Sequence, residues 1–94
     1  MTLFDPSGAR VGSSVVTCTI LNTAGTEYLC NGYNQLKGGE LILAGRFSAL
    51  SRSYRLAIVG GTGDYAGARG FERGTWLDAK FTKVRITDAF QLSS

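Results

Sequence analysis

The stretch from Ser53 to Trp76, SYRLAIVGGTGDYAGARGFERGTW, limits what this chain can fold into more than any other part of it. It opens as an alternating run, Tyr54 to Val59, with Tyr54, Leu56 and Ile58 on one face and Arg55, Ala57 and Val59 on the other. Gly60, Gly61, Gly63, Gly67 and Gly70 follow closely, and a second alternating run begins at Phe71. So much backbone freedom in one place suits either a phosphate cradle or a tight corner between strands. Gly61-Thr62-Gly63-Asp64-Tyr65-Ala66 fits the G-x-G-x-x-G/A spacing, and a strand precedes it. The chemistry of that motif requires a helix to begin there, within repeated βαβ units, so that helix N-terminal amides meet a pyrophosphate. Gly67 and Gly70 fall where that helix should run, and 94 residues leave no room for a doubly wound sheet. The glycines therefore read as corner residues.

The same alternation recurs along the rest of the chain. Thr2 to Phe4 is a short extended lead, Pro6-Ser7-Gly8 a turn, and Ala9 to Val11 a second short piece. Ser14 to Leu21 is rich in Val, Thr and Ile, with Val16, Cys18 and Ile20 on one face. Asn22 to Gly25 turns the chain, and Thr26 to Leu36 returns beside it, which places Cys18 opposite Cys30. Directly opposed residues of an antiparallel pair lie within disulfide reach, so the two are either small buried thiols or a cross-strand bridge. Lys37-Gly38-Gly39 makes the next hairpin, and Glu40 to Leu50 places Leu41, Leu43, Gly45, Phe47 and Ala49 on one parity. Beyond the glycines, Glu72, Gly74, Trp76 and Asp78 alternate with Phe71, Arg73, Thr75 and Leu77, a mixed strand whose two acids are solvated if its faces are reversed. The last run, Lys80 to Leu92, has Val84, Ile86, Phe90 and Leu92 in step, interrupted by Asp88. Tyr28 and Tyr33 are expected outside. With no helical period anywhere, six or seven such strands predict an all-β antiparallel meander that curls into a barrel over residues 1–94, one domain.

Composition narrows the function classes. A 94-residue domain buries only ~60% of its unfolded surface, so the core is small. At 44% hydrophobic and 18% charged residues the chain is globular, and no run reaches the ~20 apolar residues of a membrane-spanning helix. Its net charge of +3 comes from scattered Lys and Arg, a weak basis for a nucleic-acid partner. Two cysteines and no histidine fall short of a zinc ligand set and of a Ser-His-Asp triad, so neither metal nor cofactor is expected. Met1 to Pro6 has no signal-peptide pattern, which favours the cytoplasm; a bridged Cys18–Cys30 pair with a removed leader favours secretion.

VGGTGDYAGARG, with Tyr54 to Ile58 before it and LILAGRF earlier, resembles the signature of the allene oxide cyclase and dirigent superfamily of calycin-like β-barrels. LFDPSGARVGSS is similar to the opening strand of bacterial members, and Cys18 with Cys30 matches a pair found in some of them. GDYAGARGFERGTW is similar to the ending of the spirotetronate Diels-Alderases. The resemblance implies a barrel lacking the family's first one or two strands, or completed by a partner chain as in a homodimer. It implies a chamber lined by Leu41, Leu43, Phe47, Leu56, Ile58 and Gly74, with Trp76, Tyr54 and Glu72 as catalytic groups. An aromatic residue stands at or near the place of Gly74 in the related Diels-Alderases, and here Trp76, on the same face, takes over its role. The implied function is a cofactor-independent cyclase acting on a small apolar substrate, a linear polyketide closed by 4+2 cycloaddition being favoured over a fatty-acid epoxide. The alternative it leaves is a dirigent-like or lipocalin-like barrel that binds a ligand without catalysis.

Overall fold

A computed structural model of the chain describes residues 1–78 and 83–92. It has seven strands and, among the described residues, no helix. They are β1 (Thr2–Phe4), β2 (Arg10–Ile20), β3 (Glu27–Leu36), β4 (Gly39–Ser48), β5 (Ser53–Gly63), β6 (Ala68–Trp76) and β7 (Val84–Leu92). Each pairs antiparallel with its neighbours in sequence, giving one meandering sheet in the order β1 to β7. The sheet curls into a half-barrel of the calycin-like kind, as the alternation predicts. The two short pieces expected around Gly12 are instead one strand, β2, which pairs along its length with β3 from Gly12↔Leu36 to Ile20↔Tyr28. The expected start of the last strand at Lys80 lies outside the described residues.

Three local features set the curl. Cys18 pairs with Cys30 in register, and the two are joined by a disulfide with Cα atoms 4.1 Å apart. Between β4 and β5 the register slips: Leu43 faces Ile58 while Ile42 faces Gly60, so Val59 is an extra residue, a bulge. A bulge increases twist and exchanges the two faces of the strand beyond it. Tyr54, Leu56 and Ile58 therefore share the concave face before the bulge, and Gly61 joins Leu41 on it afterwards. At the corner itself Gly63 has φ +59°, and a Cβ there would stand 2.2 Å from the Gly38 carbonyl oxygen, so only glycine fits. Asp64 then donates its backbone N–H to Gly38 at 2.9 Å, and the chain re-enters β6 at Ala68 without a helix.

The core lies inside the curl. Leu41 and Leu43 are 0% exposed, and Leu56, Ile58, Ala68 and Cys30 join them at 3% or less. Each large side chain sealed this way contributes about 1.5–3 kcal/mol relative to exposure. Leu36, Tyr65 and Phe90 pack against this cluster, the latter two edge to face at 5.9 Å. Tyr28 corrects the outward expectation: it is half-buried against the core, its ring 6.0 Å from Phe47 and its hydroxyl donating to the Gly25 carbonyl at 2.6 Å. Tyr33 does face outward, paired with Ile42 and Val15 on the convex side. Phe71 also lies outside, under the Arg55 guanidinium at 4.4 Å from its centroid.

Candidate functional site

Alternate residues of six strands project into the concavity, and the wide part of it is a cavity of about 340 Å³. One wall is the disulfide with Val16 of β2, the opposite wall is Val84 and Ile86 of β7, and the back is Phe47, Leu56 and Trp76. Aromatic rings follow one another along the back: Phe47 meets Tyr54 edge-on at 6.0 Å, and Tyr54 meets Trp76 at 6.3 Å.

Tyr54 is placed by an absence. It pairs across the strands with Gly74, where a Cβ would stand 2.0 Å from Tyr54 Cε1 and 2.2 Å from Cζ. The ring thus lies directly over the glycine backbone, and its hydroxyl reaches one pair further along β6 to Glu72. It donates to Glu72 Oε2 at 3.0 Å.

Glu72 lies buried behind Tyr54. It sits opposite Asp88 in the β6–β7 register and is only 1% exposed, so the solvated reading of its strand does not hold. Asn34, 0% exposed on β3, reaches across the concavity and donates its Nδ2 protons to both acids, to Glu72 Oε1 at 2.6 Å and to Asp88 Oδ2 at 3.1 Å. Burial pushes the Glu72 carboxyl up to about 7, aided by its hydrogen bond to Asp88 and by the negative charge there, against the opposing bonds from Asn34 and Tyr54. The Tyr54 hydroxyl is driven well above its ordinary value, first by burial and then by the charge of Glu72, so it stays protonated. Two buried acceptors, Asn34 Oδ1 and Asp88 Oδ1, have no hydrogen-bond partner among the described residues. No group of three or more His, Cys, Asp or Glu is placed to hold a metal ion among them either.

The sequence-derived candidates separate into three sets. Phe47, Tyr54, Leu56 and Trp76 line the cavity together. Leu41, Leu43 and Ile58 share their face but are packed solid in the core beyond the cavity, so they support the wall and do not form it. Glu72 and Gly74 are covered by Tyr54: the glycine seats the ring, and the acid accepts the hydroxyl's hydrogen bond. The one hydroxyl proton of Tyr54 is committed to Glu72. Asn34 and Asp88 were not among the candidates. The signal for Asp88 was present, an acid standing in the apolar parity of Val84, Ile86 and Phe90. Asn34 offered only its parity with Cys30, because nothing local tells an inward amide from an outward one.

The fold and the site define a class: an antiparallel calycin-like half-barrel holding an aromatic cup, with a buried acid pair behind its Tyr54. No protein-family model matches the chain, and no curated protein matches it significantly. Among solved structures, one described as pyocyanin demethylase superposes with a TM-score of 0.70 at 22% identity, covering 88% of this chain and 72% of its own. At that identity the likeness bears on the fold.

Proposed function

We propose that the cup is the chamber of a cofactor-independent cyclase that folds an apolar biosynthetic intermediate, such as a linear polyketide chain carrying a diene and an activated alkene, and closes a ring by 4+2 cycloaddition. The observation that carries this reading is the continuous aromatic back wall, Phe47, Tyr54 and Trp76, facing the aliphatic wall of Val84 and Ile86 across the cavity. A pericyclic closure needs no proton shuttle, and holding a flexible chain with its reacting ends together can lower a barrier by as much as roughly 7–11 kcal/mol. Rigid rings suit that task because few torsions are lost in fixing them. A volume of about 340 Å³ is at the small end of small-molecule sites, which matches a compact cyclised product better than an extended chain. The resemblance of the glycine corner to the allene oxide cyclase and dirigent superfamily supports the same reading.

The test is product formation above the uncatalysed rate from linear polyenes carrying both reacting groups. Trp76→Ala is expected to lower kcat at least ~10-fold at retained fold, since it removes the end of the wall. If such polyenes bind without acceleration, the cup is a ligand-binding barrel of the dirigent-like or lipocalin-like kind.

A further inference from the structure

The curled sheet leaves two edges open, β7 and the part of β2 that β1 does not cover, and they are not alike. β7 carries Arg85 beside Lys83, and its Asp88 points inward, all devices that discourage a second strand from adding to an edge. β2 has none of them: residues 15–21 hold no charge, proline or glycine. β1 pairs with β2 only from Arg10 to Ser13, and Met1 extends that ladder by one pair, so no described strand lies beside residues 15–21 on this side. The backbone there has a fixed direction. Ser14 and Met1 exchange both hydrogen bonds, the Ser14 N–H donating to the Met1 carbonyl at 2.7 Å and the Met1 ammonium to the Ser14 carbonyl at 2.8 Å. Peptide groups alternate along a strand, so those of Val16, Cys18 and Ile20 face the same free side. Two observations on the β3 side agree. Leu21 donates to the Glu27 carbonyl at 2.8 Å, and Cys18 stands 4.1 Å from Cys30 at Cα, the close spacing of a pair that shares no hydrogen bonds. Around the free groups lie Val15, Val16, Ile20 and Leu21, all exposed.

We propose that residues 15–21 of β2 are the interface of a homodimer, paired antiparallel with the same segment of a second copy about a two-fold axis at Cys18. The occupant is a second copy because the segment is complementary to itself. Centred on Cys18, Val16 faces the partner's Ile20, Ile20 the partner's Val16, and Cys18 the partner's Cys18, so every outward N–H of one copy meets an outward carbonyl of the other. Centring on Thr17 would set Ile20 against Ser14, which Met1 already holds, and centring on Thr19 would carry Val16 past the end of the strand at Ile20. The Cys18 register also sets Val15 against the partner's Leu21, so the four exposed aliphatics are covered together and no like charges meet across the pair. A closed two-fold pair uses up the edge that would otherwise invite open-ended stacking. Val16 belongs to the wall of the cup, so the partner's Ile20 extends that wall beyond its lip, whether the cup catalyses or only binds.

Sedimentation equilibrium of the oxidised chain is expected to show a dimer at about 100 µM that dissociates on dilution, since one strand pair is at the small end of stable interfaces. Ile20→Lys places a charge on the edge, and Ile20→Pro removes an outward N–H while leaving the β3 ladder its hydrogen bonds. Each variant, checked for fold by circular dichroism, should weaken the dimer at least ~10-fold. Cross-linking reads the register. Thr17 faces the partner's Thr19 in a close pair, roughly 4.5 Å apart at Cα, so Thr17→Cys and Thr19→Cys chains mixed and mildly oxidised should give a disulfide-linked heterodimer, and either chain alone little product. A monomer at that concentration overturns the proposal, as does a dimer indifferent to both Ile20 substitutions, cross-linking of Thr17→Cys chains to one another, or growth into open-ended aggregates. Slow hydrogen exchange of the Val16, Cys18 and Ile20 amides in a monomer would also overturn it, by assigning the edge to another segment of the same chain.

Discussion

Replacing Glu72 by glutamine should flatten the dependence of stability on pH. In the folded chain the Glu72 carboxyl keeps its proton up to about 7, against an ordinary value of 4.5. Each unit of that difference is worth about 1.4 kcal/mol, so the folded state gains roughly 3 kcal/mol from holding this proton more tightly than the unfolded state does. The gain is complete below about pH 4.5, falls away as the pH rises through 7, and is absent above it. Between about pH 5 and about pH 8.5 the wild type should therefore lose ~2–3 kcal/mol through this one group, or about 2 M in the urea midpoint at a slope near 1 kcal/mol per molar. Glutamine keeps the shape, accepts from Tyr54 or Asn34 through its oxygen, and can donate its amide to Asp88. It cannot ionise. Carboxylates away from this cluster act equally in both proteins, so the difference between the two midpoint curves reports Glu72 together with its coupled neighbour Asp88. A variant whose midpoint falls with pH as steeply as that of the wild type would refute the assignment of a buried, proton-holding acid at this place.

Two further outcomes follow from the packing. Gly74→Ala should push the Tyr54 ring off its seat and cost about 1–3 kcal/mol of stability, whereas Gly60→Ala, whose Cβ meets only Arg69 Nη1 at 3.8 Å, should cost less; equal melting temperatures for the two variants would show that the ring is not seated on the glycine. Reducing the Cys18–Cys30 bridge, whose partners are 12 residues apart, should lower the unfolding free energy by about 3 kcal/mol, read from urea curves with and without reductant. No change on reduction would mean the bridge does not form in solution.

The fold was legible because it is written in a period of two. Leu41, Leu43, Phe47, Tyr54, Leu56 and Ile58 all face inward as their alternation requires, and the symmetry of one hairpin about Ala24 was enough to set Cys18 against Cys30. The corner was legible for the same reason: a helix could not begin among glycines followed at once by a strand. Parity, however, gives a face and not a depth. It could not tell that Leu41 and Ile58 lie in solid core while Leu56, on the same face, borders a cavity, because that depends on how far the sheet curls. Nor could it find the acid pair as a unit. Asn34 is 38 residues from Glu72 and 54 from Asp88, and only the closed curl brings the three together. The merging of the two pieces around Gly12 into one strand was missed because a glycine beside a turn signal reads as an interruption, whereas pairing with Leu36 carries the strand straight through it.

The seat of Tyr54 on Gly74 has a consequence for how such chambers change over time. Ring and glycine belong to different strands but occupy one column across the sheet, so an aromatic surface at this spot can be supplied by either partner provided that the other has no side chain. Read position by position along β6, Gly74 is a gap in the wall; read in space, the gap is already filled from β5. A lineage could move the ring from one strand to the other by two paired substitutions and keep the surface presented to the ligand. The polar tip would be lost or re-aimed, because only from β5 does the hydroxyl arrive over Glu72.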